Sequence, residues 1–425
     1  MGLVEEYLGW LVFIGVCLFW EFFVVKFGVG LGMGYENSYV FMDGLSLVLV
    51  MMGFMLWVFM AGVYGGGLKM GVFKEMGFSL ILCVLVSLVF VVDSWVAFYV
   101  LYEGSMLPLL VGVLLYGGYY ERVGSVFYLV IYMVLFSSPL VVMLLMCYSV
   151  SGDLKIGVWE LISVNASILV LLVMGVLVKV PMFGVHSWLP KVHVEAPTWG
   201  SVILAAVMIK MGVYGLWRMV NESLWVSGVS EWLWLWSFVG VVMMALMCLM
   251  SVDLKVIVAY SSVVHMGGLV WLSGFSVVSG WRGVLIMSVM HGMISGGMFV
   301  LVGSLGDVFQ TRSVLVLKGV VDFLGFLGIL VVVLFVLNVG FPLSGNMLGE
   351  LEVMMSVWSL WKSGWVVFGA MMFLGCFFNL YVLMTLYSSG SSEAREMVGG
   401  VLLSMSMMVF VSVVGLVVFG SVVIV

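Results

Sequence analysis

Threonine occurs three times in 425 residues (Thr198, Thr311, Thr385), glutamine once (Gln310), and charged residues make up only 8% of the chain. Soluble domains carry about a quarter charged residues, so the shortage of charge excludes a soluble globular protein. With 15 basic against 21 acidic residues, no nucleic-acid partner is expected. Segments of about ten residues with alternating polarity, the mark of a membrane barrel, are missing as well. The five cysteines (Cys17, Cys83, Cys147, Cys248, Cys376) lie singly inside apolar runs without a CxxC pair, which reads as buried thiols. There is no HExxH, phosphate loop, GxGxxG at a strand–helix junction, CxxCH or iron–sulfur spacing. The chain is therefore expected to bind no metal and no redox cofactor of its own.

Apolar residues are what it has instead. The mean hydropathy is +1.32, and apolar runs of roughly 18 residues or more, each long enough to cross a bilayer core as a helix, recur from end to end. The expected fold is an all-α polytopic membrane protein with about thirteen transmembrane helices. The abundant Met, Gly and Trp have G- and T-rich codons, and the rare Thr and Gln have C- and A-rich ones. A small strand-biased genome such as a mitochondrion's produces that bias. The first residues, MGLVEEYLGW, are acidic where a signal or transit peptide is basic, so neither cleavage nor import is expected.

The spans group into N-terminal helices over 1–64, five-span blocks over 76–220 and 231–388, and a C-terminal helix over 398–424. The fourth span of each block is interrupted, near 179–184 at Pro181 and near 338–346 at Gly340-Phe341-Pro342. Proline removes a backbone donor, and hydrocarbon cannot satisfy the groups this frees, so each break must face protein or a water-filled cavity. Breaks at matching places in two halves point to an ion pathway built from repeats.

Polar residues concentrate around those breaks. A charged side chain at mid-membrane costs roughly 3 kcal/mol, which marks four residues: Glu103 in YVLYEGSMLPLL, Lys179 in VLVKVPMF, Lys210 in AAVMIKMGVYG and Glu350 in GNMLGELEV. His265 and His291 occupy consecutive spans; each suits a proton relay or a hydrogen-bonded packing role. The stretch HSWLPKVHVEAPT is expected to be a re-entrant connection, its prolines holding extended backbone. In it His186, His193 and Glu195 would satisfy buried backbone or line a proton's way in. The two histidines stand seven apart with a proline between them, which is poor metal spacing.

The stretch KVPMFGVHSWLPKVHVEAPTWGSVILAAVMIKMGVYG resembles the broken seventh and following eighth helices of the antiporter-like, proton-pumping subunits of respiratory complex I. LYEGSMLPLL, DLKVIVAYSSVVHMGGL, MHGMISGGMFVLVG and FPLSGNMLGELEV are similar to further motifs of that family, in its order, across most of 90–390. The resemblance implies two inverted five-helix repeats, a proton path along the membrane midplane and no bound redox group. It also implies roles by position: Glu103 pairs with Lys179, Lys210 is the central lysine, His265 and His291 are the intramembrane histidines, and Glu350 is the terminal acid. A glutamate at that last position sets the sequence apart from the chain 5 and chain 2 branches, which place lysine there. Only one span precedes the FMDGLSLVL helix where the family has two, and no motif matches beyond Ser388.

If the resemblance holds, this is a membrane-arm subunit of NADH:ubiquinone oxidoreductase in the mitochondrial inner membrane. Its neighbours would be the chain 5 and chain 2 antiporter-like subunits, accessory subunits and lipids including cardiolipin. NADH, FMN, iron–sulfur clusters and ubiquinone would be handled by partners. An Mrp-type cation/proton antiporter subunit and a non-conducting membrane scaffold are the two alternatives.

Overall fold

The computed structural model describes residues 35–36 and 41–388, apart from 66–69, 119, 152–154, 156–165, 223–226, 274–277, 324–325, 342–343, 361 and 363. The span expected ahead of the FMDGLSLVL helix, the one expected at 398–424, and Pro342 itself lie outside the described residues.

Among the described residues the regular elements are helices, save for two-residue strands Tyr35–Glu36 and Phe41–Met42 paired as a hairpin. Helices α1 (Gly44–Gly65) and α2 (Met70–Val89) lead into α3 (Trp95–Gly104) and α4 (Met106–Tyr116), then the long α5 (Arg122–Ser151). After α6 (Ala166–Leu177) come the short α7 (Trp188–Glu195) and α8 (Thr198–Ile203), the latter continuing through a π-helical turn (Leu204–Met208) into α9 (Ile209–Glu222). The second half holds α10 (Ser227–Met250), α11 (Leu254–Ser273), α12 (Val278–Phe309), the single turn α13 (Val320–Phe323), α14 (Phe326–Val339), α15 (Gly345–Leu360) and α16 (Gly364–Tyr387).

Among the described residues six stretches are long and apolar enough to cross a membrane: 44–61, 95–116, 122–149, 198–219, 282–309 and 364–387. Shorter apolar helices cover 235–250, 254–270 and 328–339. Burial sorts them. The 198–219 stretch is wholly inside the molecule and 282–309 is 94% inside, whereas only 28% of the apolar window in α5 is covered. The two innermost stretches are the ones that carry Lys210 and His291.

Lipid is as apolar as leucine, so close packing rather than hydrophobic burial holds such helices together. Glycines permit the closest approaches. A Cβ on Gly283 of α12 would lie 2.9 Å from the Gly349 carbonyl oxygen of α15, and one on Gly292 would lie 3.0 Å from the Ala206 carbonyl in the π-helical turn. The second contact draws α12 against the Lys210 helix and places His291, the preceding residue, at its surface.

Two details differ from the sequence reading. The second span of the 76–220 block, an apolar run over 94–115, is interrupted at Ser105, because Pro108 has no N–H for the Gly104 carbonyl. Ser105 stays near helical dihedrals, and the chain continues in the same direction. The connection HSWLPKVHVEAPT is not extended: its first part is α7, and Pro190 stands in that helix's first turn, where an N–H has no partner in any case. Pro197 is the residue just ahead of α8.

Candidate functional site

The first break owes its shape to side chains that cap it. Helix α6 ends at Leu177, leaving its last carbonyls without the donors a further turn would supply. The Tyr102 hydroxyl donates to the Val176 carbonyl (3.2 Å) and the Trp188 indole N–H to that of Val178 (3.1 Å). Lys179, 1% exposed, emerges there. Its ammonium donates to the Tyr102 carbonyl and sits 3.2 Å from the centroid of the Tyr102 ring. The same carbonyl accepts from the Ser105 hydroxyl (2.8 Å), whose oxygen also lies 3.9 Å from Met211 Sδ, next to Lys210.

Glu103 is therefore one residue from the group that Lys179 engages, but the expected Glu103–Lys179 pair is not a contact. Among the described residues the side-chain ion pairs are Arg218–Asp43 (2.6 Å) and His265–Glu350 (3.7 Å). Glu103 Oε1 is buried with no hydrogen-bond partner. The lysine has taken a fixed carbonyl dipole and an aromatic face in place of the carboxylate, both of which favour a cation.

Lys210 is the second residue beyond the π-helical turn and is fully buried. A π turn widens the helix by one residue. Here the Lys210 Nζ folds back to donate to the Ala205 carbonyl inside that turn at 2.5 Å. The same nitrogen is 3.1 Å from His291 Nδ1. The His291 ring centroid is 5.3 Å from that of His265, and His265 Nδ1 is 3.7 Å from Glu350 Oε1. Four of the six residues singled out in the sequence thus form one continuous buried series, Lys210–His291–His265–Glu350. No hydrogen bond joins Lys179 to Lys210 among the described residues.

The second break lies beside the far end of this series. Helix α14 stops at Val339, and Gly340 takes a left-handed conformation (φ 78°). A Cβ there would lie 2.6 Å from Glu350 Oε2. His265 and Glu350 share a cavity of about 20 Å³, which is room for one water. Asparagines missed by the sequence reading gather at this break. Asn338 Nδ2 donates to Asn379 Oδ1 (3.0 Å), Asn379 Nδ2 to the Gly375 carbonyl (3.0 Å) and Asn346 Nδ2 to the Leu337 carbonyl (3.4 Å). The signal was available: the chain has six asparagines, and three of them lie between 338 and 379.

Of the polar groups in the connection, His186 does satisfy backbone, accepting from the Gly184 N–H at 3.2 Å. His193 does not. It is fully buried, stacks on Phe299 at 4.3 Å between centroids, and neither ring nitrogen has a partner.

Comparisons with known proteins place the chain in a family. Residues 92–379 match the family described as NADH:quinone oxidoreductase/Mrp antiporter, TM. NADH-ubiquinone oxidoreductase chain 4 of Ceratitis capitata is 33% identical over 84% of this chain and 80% of its own length. The chain 4 protein of Polypterus ornatipinnis is 32% identical over 71% and 67%. In structure, the chain superposes on one from respiratory complex I of Thermus thermophilus with bound NADH. The TM-score is 0.79 at 20% identity, over 97% of this chain and 92% of that one, a likeness of fold. The chain therefore belongs to the NADH:quinone oxidoreductase/Mrp antiporter transmembrane family, among its NADH-ubiquinone oxidoreductase chain 4 members.

Proposed function

We propose that the chain conducts protons as a membrane-arm subunit of NADH:ubiquinone oxidoreductase, along Glu103, Lys179, Lys210, His291, His265 and Glu350. One observation carries the proposal: the buried series from Lys210 to Glu350, a hydrogen bond from Lys210 to His291 followed by the neighbouring His265 ring and a carboxylate 3.7 Å beyond it. A scaffold gains nothing from four ionisable groups in contact inside a membrane, where each is costly.

In this reading the Lys210 ammonium gives a proton to His291 Nδ1, and the imidazolium releases the proton on its other nitrogen towards His265. His265 passes it to the Glu350 carboxylate once the 3.7 Å gap closes to hydrogen-bonding distance or is bridged by a water. At that separation and an effective dielectric of 20, the charged His–Glu pair attracts by roughly 4 kcal/mol. Moving one charge against 100 mV costs about 2.3 kcal/mol, so making and breaking such a pair is of the right size to gate transfer. Upstream, Glu103 would act on Lys179 through space, and a swing of its carboxylate towards the ammonium would change how firmly that proton is held.

The same reading includes about thirteen spans in two inverted five-helix repeats and a place in the mitochondrial inner membrane. It includes chain 5 and chain 2 subunits, accessory subunits and cardiolipin as neighbours. NADH, FMN, iron–sulfur clusters and ubiquinone are assigned to partner subunits.

The test is a native-gel separation of detergent-solubilised membranes, stained for NADH dehydrogenase and searched for peptides of this chain. They are expected in a very large NADH-active band. Recovery only from a smaller, NADH-inactive assembly would favour a stand-alone cation/proton antiporter instead.

A further inference from the structure

We propose that Asn379 is a positioning residue for the His265–Glu350 end of the path, tying α16 to the broken end of α14 through Asn338. The inference rests on the reading of Glu350 as a proton site.

Helix α16 is apolar along its length, and Asn379 is its one carboxamide. The side chain is 1% exposed, and both of its polar atoms are engaged: Oδ1 accepts from Asn338, and Nδ2 donates to the Gly375 carbonyl. The partner's location gives the bond its meaning. Asn338 is the penultimate residue of α14. The next residue, Val339, and Gly375 both line the small cavity that His265 and Glu350 share. One residue further on, Gly340 touches the Glu350 carboxylate.

Backbone at the end of a half-helix has no following turn to hold it, so its place is set by side-chain ties. Among the described residues two side-chain ties lie here, beside the backbone bonds from Gly340 N–H to Leu337 and from Phe341 N–H to Val336. Asn346 binds the Leu337 carbonyl from within α15, and Asn379 reaches across from α16. The Asn346 tie links the two half-helices to each other. Among the described residues the Asn379 tie is the side-chain hydrogen bond that refers the break to a third helix, and so helps set where Asn338 and Gly340 stand relative to His265 on α11. The outer face of α16 is broad and apolar, with Phe373, Phe377 and Met384 more than half exposed. A shift of that helix would therefore move the Asn379 tie to Asn338 together with Phe368, Met371, Met372 and Gly375, the α16 residues that line the cavity. His265 is the titratable group facing Glu350 across the cavity, with His291 and Lys210 beyond it. Helices α10, α12, α14 and α16 line the cavity with apolar residues only.

The test uses the assembled complex in membrane vesicles carrying Asn379→Leu, Asn379→Ser or Asn379→Gln. The carboxyl infrared band of Glu350, assigned by its loss in Glu350→Gln, is titrated alongside the pH profile of proton translocation. Leu and Ser, which cannot reach Asn338, are expected to move both midpoints by about one pH unit or more, and Gln to restore them. Ser keeps a small polar group and serves if the Leu variant does not assemble. A band and profile unchanged in either variant would overturn the proposal. Failure of the underlying reading looks different, because Glu350→Gln would then translocate protons at the parental rate whatever Asn379 does to the band.

Discussion

Lys210→Ala is expected to lower proton translocation per NADH oxidised to below roughly a tenth of the parental value, with the complex still assembled. A tenfold loss corresponds to about 1.4 kcal/mol on the barrier. Removing the nitrogen breaks the series at its first contact, since Nζ is what lies 3.1 Å from His291 Nδ1. Assembly is expected to survive, because the substitution also removes a buried charge. The cost that remains is the Ala205 carbonyl without its donor, about 1–3 kcal/mol. Lys210→Arg is the companion variant. It keeps the charge and can bond the same carbonyl, yet guanidinium does not release its proton in a protein, so it should fail equally. Vesicles reporting internal pH beside NADH consumption give the ratio. A normal ratio in assembled Lys210→Ala would remove the lysine from the path.

Glu350→Gln should produce a loss of similar size by a different route. The amide fills the same space against Gly340 and beside the cavity, so packing is preserved while the group that accepts the proton from His265 is gone. The attraction between charged His265 and Glu350, roughly 4 kcal/mol at their separation, disappears with it. Gly340→Ala tests the same point without touching an ionisable group. A left-handed non-glycine residue costs about 1–2 kcal/mol, and the new Cβ would lie 2.6 Å from Glu350 Oε2. The carboxylate is the flexible partner and should yield, widening its 3.7 Å gap to His265. Translocation is expected to fall to a level between those of the parent and Glu350→Gln. A Gly340→Ala complex pumping at the parental rate would show that the carboxylate's position is not critical.

Helical membrane character and the two interruptions, which fall after Leu177 and Val339, were legible along the chain. They depend on local quantities: run length, mean polarity, and a proline or glycine that ends a hydrogen-bond ladder. Even there, local reading misjudged HSWLPKVHVEAPT. Prolines suggested extended backbone, but one proline in a first helical turn costs nothing. The interruption at Ser105 went unread because its proline comes three residues later.

Which residues touch was decided by the tertiary structure alone. Lys210 and His291 stand 81 positions apart, and nothing in hydropathy says which way either side chain points. That depends on helix rotation, and the π-helical turn before Lys210 changes the rotation by one residue's worth. Close approach at Gly292 then sets the distance between the two helices. The same physics separated Glu103 from Lys179, since the lysine found a carbonyl and a ring nearer than the carboxylate. Asn379 drew no notice in the sequence because one amide in an apolar helix has no local signature. It became legible only where three helices brought it to Asn338. Composition and spacing determined that this chain crosses a membrane with broken helices and buried charge; rotation and approach, which are properties of helix pairs, decided which charges meet.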